Sequence, residues 1–193
     1  LVAVGTHDGS VVVCSATSGN LICIIPLCEY RKEISSNERT NSILVSKSSS
    51  ITLPKLDKNQ SKYNISILPT LIPMKVLITP SWGFIVVYCS EISKGRLKHS
   101  IFVFTLNGSF VHHCKIDGPV DFWSSWSTRN GFDHLIFTNE TGHVFMTEVF
   151  SAKQTKEVYC SRSKVIAAEV SKDKSILSIV SEDGKIALIP ISV

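Results

Sequence analysis

Short runs of Val, Ile, Leu and Phe alternate with turn residues along most of this 193-residue chain. Val11–Val13, Leu21–Ile25, Phe84–Val87, Ile101–Phe104, Leu135–Phe137, Val144–Met146, Ile176–Val180 and Ile186–Ile189 are the clearest. None keeps helical spacing over a helix's length. Short β-branched runs bounded by Gly, Asn, Asp and Ser predict strands instead. Many runs are continuous rather than alternating, which predicts strands covered on both faces.

The turns recur. Asp8-Gly9, Thr141-Gly142 and Asp183-Gly184 each separate two strand-length runs. Such dipeptides supply the positive-φ positions of a tight hairpin turn. Asp8 and Asp183 are expected to accept backbone hydrogen bonds that tighten their turns. Gly142 and Gly184 stand 42 residues apart, within the about 40–45-residue repeat of propeller blades. The chain therefore reads as all-β: a partial WD40-like β-propeller of about four four-stranded antiparallel blades, part of a larger propeller. A partial first blade occupies residues 1–28 and three further blades occupy 75–193, the last lacking its outer strand. The predicted blade strands are Leu1–Thr6, Ser10–Ser15 and Leu21–Leu27; then Val76–Pro80, Gly83–Cys89, Ser100–Leu106 and Phe110–Ile116. Next come Val120–Trp126, His134–Thr138, His143–Val149 and Lys156–Cys160, and finally Val165–Val170, Ser175–Val180 and Lys185–Ile191. Leu1 falls in mid-strand, so the chain is expected to continue upstream, while Val193 suits a natural end.

Residues 29–74 break the pattern. From Glu29 to Thr70 the chain is rich in Ser, Lys and Asn and has no Gly. It reads as a polar insertion or a degenerate blade, its long polar runs favouring the insertion. It also holds most of the charge. Between Glu29 and Lys62 seven Lys/Arg face four Asp/Glu, an excess of +3 within a net +4. A nucleic-acid binder would stripe its charge over folded elements, so no nucleic acid is expected. Weak contact of this segment with an anionic membrane is compatible with the charge. No apolar run approaches the about 20 residues of a bilayer span. The six cysteines form no C-x-x-C pair and several lie within apolar runs, where Cys acts as a small hydrophobe. The expected compartment is reducing, the cytoplasm or the cytoplasmic face of a membrane.

Candidate chemistry is thin. His112-His113-Cys114 suggests a metal, but neighbouring strand residues point to opposite faces and cannot share one ion. The pair fits an exposed outer strand better. Asp121, Asp133, Glu140 and Glu148 show no spacing that demands an acid/base pair, so a solvated surface is their default. No G-x-S-x-G elbow and no phosphate-binding loop is present. No catalytic, cofactor-binding or metal-binding residue is assigned and no cofactor is expected. Trp82, Trp123 and Trp126 remain. Each suits packing between blades, or an exposed aromatic anchor at a protein interface.

The stretch from Lys75 to Tyr88, with its Pro80-Ser81-Trp82-Gly83-Phe84, resembles the C-terminal propeller of BEACH-domain (Beige/neurobeachin-like) proteins. So do Phe102–Gly108, Asp121-Phe122-Trp123 and Gly131-Phe132-Asp133 in that order. The resemblance runs from Val76 to the end, with the Asp8-Gly9 blade. It implies a non-catalytic protein-protein interaction module of a scaffold acting in vesicle and membrane trafficking, cytoplasmic or peripheral to membranes. An upstream BEACH domain of the same chain would be one partner. No Gly-His opens a blade and no Trp-Asp closes one, a departure from regular WD repeats. Two alternatives stand beside this. One is a propeller enzyme with a site in its central channel, where Asp121 and Glu169 are the only carboxylates of the predicted inner strands. The other is a purely structural propeller packed on its own upstream domain.

Overall fold

The computed structural model describes residues 1–30, 71–93, 95–151 and 155–191. The polar segment falls outside the described residues between positions 31 and 70, and with it seven Lys/Arg against three Asp/Glu, an excess equal to the whole net charge of +4. The described strands form four antiparallel meanders. The first contains β1 (Val2–Gly5), β2 (Ser10–Cys14) and β3 (Leu21–Pro26). The second contains β4 (Leu71–Ile78), β5 (Ile85–Ser93), β6 (Arg96–Phe104) and β7 (Phe110–Ile116). The third contains β8 (Val120–Ser127), β9 (Asp133–Asn139), β10 (His143–Glu148) and β11 (Lys156–Cys160). The fourth contains β12 (Val165–Val170), β13 (Ile176–Ser181) and β14 (Ile186–Pro190).

The first strands of successive sheets adjoin one another, β4 against β1, β8 against β4 and β12 against β8. The sheets therefore fan out as propeller blades. Three apolar layers separate them. Val11, Val13 and Ile25 of blade one meet Ile85, Val87, Phe102 and Phe104 of blade two. Val86, Tyr88, Ile101 and Val103 leave the opposite face of blade two and meet Val120, Leu135 and Phe137 of blade three. Trp126, Ile136 and Val144 then meet Val165, Leu177 and Ile179 of blade four. This sandwiching explains the continuous apolar runs. In β5, Ile85 and Val87 enter one layer while Val86 and Tyr88 enter the next. Each buried aliphatic side chain is worth about 1.5–3 kcal/mol relative to exposure, so an inner blade holds on two sides. The faces not turned to a neighbouring blade stay open. Val2, Val4, Ile22 and Ile24 on blade one and Ile176, Ile186 and Leu188 on blade four are exposed.

Several local expectations change. The Asp8-Gly9 turn is not a two-residue hairpin. Gly9 N–H donates to Thr6 O at 3.1 Å and Thr6 N–H to Ser10 O at 2.9 Å. That is a type I turn closed by a glycine bulge, so only the Gly takes positive φ. Gly9, Gly142 and Gly184 have φ of 82°, 85° and 79°, and no Asp or Thr beside them has positive φ. The same two bonds recur at Thr105–Ser109, Thr128–Phe132 and Ser181–Lys185. Asp8 Oδ1 accepts the Ser10 N–H at 3.1 Å and the Thr6 hydroxyl, and Asp183 Oδ1 accepts the Lys185 N–H at 3.4 Å. At the Thr141-Gly142 turn the acceptor is Asn139, whose Oδ1 takes the Thr141 hydroxyl at 2.8 Å and the His143 N–H at 2.9 Å.

Strand β4 begins at Leu71, inside the stretch read as polar, rather than at Val76. Pro73 hid it. A proline interrupts a strand pattern, and here the register shifts between Pro73 and Lys75 to accommodate it. His112 and His113 lie on the outermost strand of blade two, and on opposite faces. Yet both are half-buried rather than exposed, because even an outer strand is covered by its neighbours. His112 Nε2 reaches Val149 O at 2.5 Å, while His113 stacks on Phe102 at 5.7 Å.

Candidate interaction face

The loops that join first to second and third to fourth strands share one rim of the blades, and on blades two to four side chains tie them together. The centre is Asp133, the first residue of β9, only 3% exposed. Its carboxylate reaches back to the 79–84 turn of blade two. Oδ2 accepts the Thr79 hydroxyl at 2.6 Å and the Trp82 N–H at 2.8 Å, and Oδ1 accepts the Ser81 N–H at 3.0 Å. A buried carboxylate is tolerable when its lone pairs are met by several donors. Thr79 passes the order on, its Oγ1 accepting the Phe84 N–H at 2.9 Å. Asp133 was expected on a solvated surface. Burial between blades makes it a clasp instead.

The clasp fixes an exposed tryptophan. Trp82 is 66% exposed, yet its Nε1–H donates to Gly131 O of the neighbouring blade at 2.7 Å. Beside it on the same rim stand Phe132 and Phe150, 51% and 64% exposed. Phe150 leans on Phe84 at 6.1 Å between centroids, and Val149 N–H donates to Asp133 O at 2.9 Å. Three exposed aromatic rings thus share this rim, and that of Trp82 is hydrogen-bonded across to the neighbouring blade. The next blade is tied in the same way. Arg129 donates twice to Asp173 O, at 3.1 and 2.9 Å, and Lys174 Nζ reaches Ser127 Oγ and Thr128 O at 3.2 and 3.0 Å. Asp173 is held down to about 2, chiefly by the Ser171 and Ser175 hydroxyls, so it stays anionic beside Arg129.

Of the three tryptophans, only Trp82 is placed to meet a partner. Trp126 is 8% exposed, in the layer between blades three and four, stacked on His134 at 5.0 Å. Trp123 is partly buried, edge-on to Tyr88 at 6.4 Å. Both follow from strand position: β8 is the first strand of its blade, with a neighbour on each side. Phe132 enters the sequence reading only within the Gly131-Phe132-Asp133 motif and Phe150 not at all, and neither is read there as an interface residue. A Gly before one and the end of a strand before the other were the signals that they sit in loops. Thr141, Gly142, Asp183 and Gly184 lie at the opposite end of the blades, in turns between second and third strands. Asp8 and Gly9 lie at that end too, because β1 takes the place of a second strand and its end at Gly5 lies against Pro73 near the start of β4.

The inner strands offer less. Asp121 Oδ2 pairs with Lys164 Nζ at 2.9 Å, and its backbone carbonyl accepts from Lys75 Nζ. Burial lowers the Lys75 pKa, with Asp121 pulling against it. Hydrogen bonding to Asp121 raises that of Lys164. Asp121 is thus engaged by two lysines rather than by a second acid, and Glu169 on β12 is exposed. Among the described residues, one group of three His, Cys, Asp or Glu side chains lies close enough to share an ion: His143, Glu157 and Cys160. It is at the far end of blade three from the aromatic rim. No helix among the described residues is long and apolar enough to cross a membrane.

No protein-family model matches the chain, and no curated protein matches it. The solved structures to which it is similar include two at low identity. One is the crystal structure of the computationally designed Ika4 protein, at 12% identity over 98% of this chain and 84% of that one, with a TM-score of 0.46. The other is BBS1N in complex with ARL6DN, soaked with lead, at 9% identity over 98% of this chain and 60% of that one, with a TM-score of 0.42. Neither likeness bears on what this chain binds.

Proposed function

We propose that this chain is a non-catalytic protein-interaction module that docks partner proteins on the rim bearing Trp82, Phe132 and Phe150. The observation that carries the reading is the placement of three largely exposed aromatic rings on one rim, with Trp82 on the turn held by the Asp133 clasp. Exposed aromatic side chains have no packing reason to stay in water, and rigid ones lose little entropy on binding. Propeller blades supply the frame and their loops the specificity. The order of motifs from Pro80-Ser81-Trp82 to Gly131-Phe132-Asp133 supports placing the module in a BEACH-type scaffold of membrane trafficking. An upstream BEACH domain is then one of its partners.

The test is quantitative proximity labelling in cells with the wild-type chain and with Trp82→Ala/Phe150→Ser. Partners lost from the variant, with its melting curve unchanged, support the reading. An unchanged partner set overturns it. The scaffold assignment is tested separately by sequencing the transcript upstream of Leu1, where an unrelated domain would sink it.

A further inference from the structure

We propose that His143, Cys160 and Glu157 form a surface site for a borderline-soft divalent cation of the Zn2+ class. His143 Nε2 and Cys160 Sγ are the direct ligands, and Glu157 is the residue that positions the imidazole. This site is separate from the aromatic rim and does not depend on its function.

The strand register builds the site. His143 opens β10 and stands directly opposite Cys160 on β11, while Phe145 stands opposite Glu157. Residues 157 and 160 differ by three, so a regular strand would turn them to opposite faces. The register shifts between Val144 and Phe145: Val144 pairs with Tyr159 and Phe145 with Glu157, which leaves Val158 without a partner. That bulge returns Glu157 and Cys160 to one face with His143. Re-aiming a side chain is a recurrent use of β-bulges.

The distances suit a metal as well as they suit the thiol–imidazole hydrogen bond that joins Cys160 to His143 in its absence. Cys160 Sγ lies 3.7 Å from His143 Nε2. In a tetrahedral zinc site, Zn–N of about 2.0–2.1 Å and Zn–S of about 2.3 Å imply an N···S edge of about 3.6 Å. His143 Nδ1 lies 3.1 Å from Glu157 Oε1. A carboxylate on Nδ1–H fixes the tautomer that leaves the Nε2 lone pair facing the thiol, the usual support of a metal-bound histidine. One ligand atom from each of the three residues, a single imidazole nitrogen among them, lies within 4.8 Å of the other two.

The frame is rigid and the approach open. The His143 ring overlies Phe145 at 6.2 Å and 15°, and Phe145 stacks on Phe137 at 5.3 Å. Ser161 N–H donates to Gly142 O at 2.8 Å, which ties the start of β10 to the end of β11. Cys160 and Glu157 are exposed, so an ion and its waters reach them. Binding takes the cysteine as thiolate. The thiol proton leaves to solvent, the sulfur keeps its electron pair, and uptake strengthens as pH rises. Water completes the coordination.

The purified chain is titrated with Co2+ as a spectroscopic probe, then with Zn2+ in competition. The expected result is a near-ultraviolet thiolate-to-cobalt charge-transfer band that saturates at one equivalent and is discharged by Zn2+. Cys160→Ser abolishes the band. Glu157→Gln keeps it but weakens binding about 10–100-fold. Zn2+ should also protect Cys160 of the wild-type chain from alkylation, read by mass spectrometry, which needs no variant to fold. No band with the wild-type chain, a band that survives Cys160→Ser, or alkylation of Cys160 unaffected by Zn2+ would each overturn the site. Unchanged affinity in Glu157→Gln would overturn the positioning role.

Discussion

Replacing Asp133 tests whether one buried carboxylate holds blades two and three together at their rim. Asp133→Asn keeps the shape but replaces one oxygen with an NH2 group. Oδ2 now accepts both the Thr79 hydroxyl and the Trp82 N–H. Thr79 could turn its hydroxyl away, but the Trp82 N–H can only donate. With the amide nitrogen there, it is left without an acceptor, at a cost of about 1–3 kcal/mol. Turning the amide over moves the same conflict to the Ser81 N–H, which now faces Oδ1. Asp133→Ala removes all three acceptor contacts and opens space in a site only 3% exposed. Bonds to a charged acceptor are worth about 1.5–3 kcal/mol each, but solvent entering the broken turn recovers part of that. The expected loss is about 3–5 kcal/mol, the worth of the three bonds less that recovery. Urea unfolding followed by tryptophan fluorescence measures both. Iodide quenching of Trp82 should rise in both variants, because the turn that holds the ring loses its anchor. If Asp133→Asn unfolds within about 0.5 kcal/mol of wild type, the range of an ordinary surface change, the clasp is not what orders this rim.

Gly142→Ala should destabilise by about 2 kcal/mol or more, since it combines a positive φ with a Cβ placed 2.5 Å from Ser163 O and 2.8 Å from Ser161 O. Gly19→Ala, also at positive φ but with nothing within 4 Å, should cost only about 1 kcal/mol, so equal losses in urea titrations would contradict the steric part. Stability should fall on acidification. Burial lowers the pKa of His99 and of His112, with Glu140 and the Val149 carbonyl respectively opposing it. Both are then neutral in the folded chain at a pH where the unfolded chain already binds protons. Their contribution is complete above the unfolded value of about 6.5 and is lost as pH falls below it. His112→Gln should flatten the urea-midpoint profile between pH 7 and 5, and an unaltered slope would exclude that residue as a source. The exposed apolar faces of blades one and four should make the purified chain self-associate. Val4→Lys/Ile24→Lys with Ile186→Lys/Leu188→Lys should return it to monomer in sedimentation, and aggregation that persists would place the sticky surface elsewhere.

Strand content and blade spacing were legible in the chain because they rest on local chemistry. Continuous Val/Ile runs such as Phe84–Val87 announce burial on both faces, and Gly9, Gly142 and Gly184 mark where the backbone needs positive φ. What a residue does after the strands pair was not legible. Asp133 and Asp121 look alike in sequence, yet one closes a turn on the neighbouring blade and the other pairs with lysine near the inner strands. Trp82 and Trp126 are the same residue, and only the stacking of blades leaves one in water and buries the other. Pro73 masked the start of β4, because local propensity opposes a strand that pairing to β5 nevertheless imposes. The meeting of His143, Glu157 and Cys160 lay furthest from view. It depends on a one-residue register shift between β10 and β11, and periodicity alone would have turned Glu157 away from Cys160. Sequence sets the elements through short-range sterics and hydrophobic period, whereas side-chain constellations need the register and stacking that long-range packing selects.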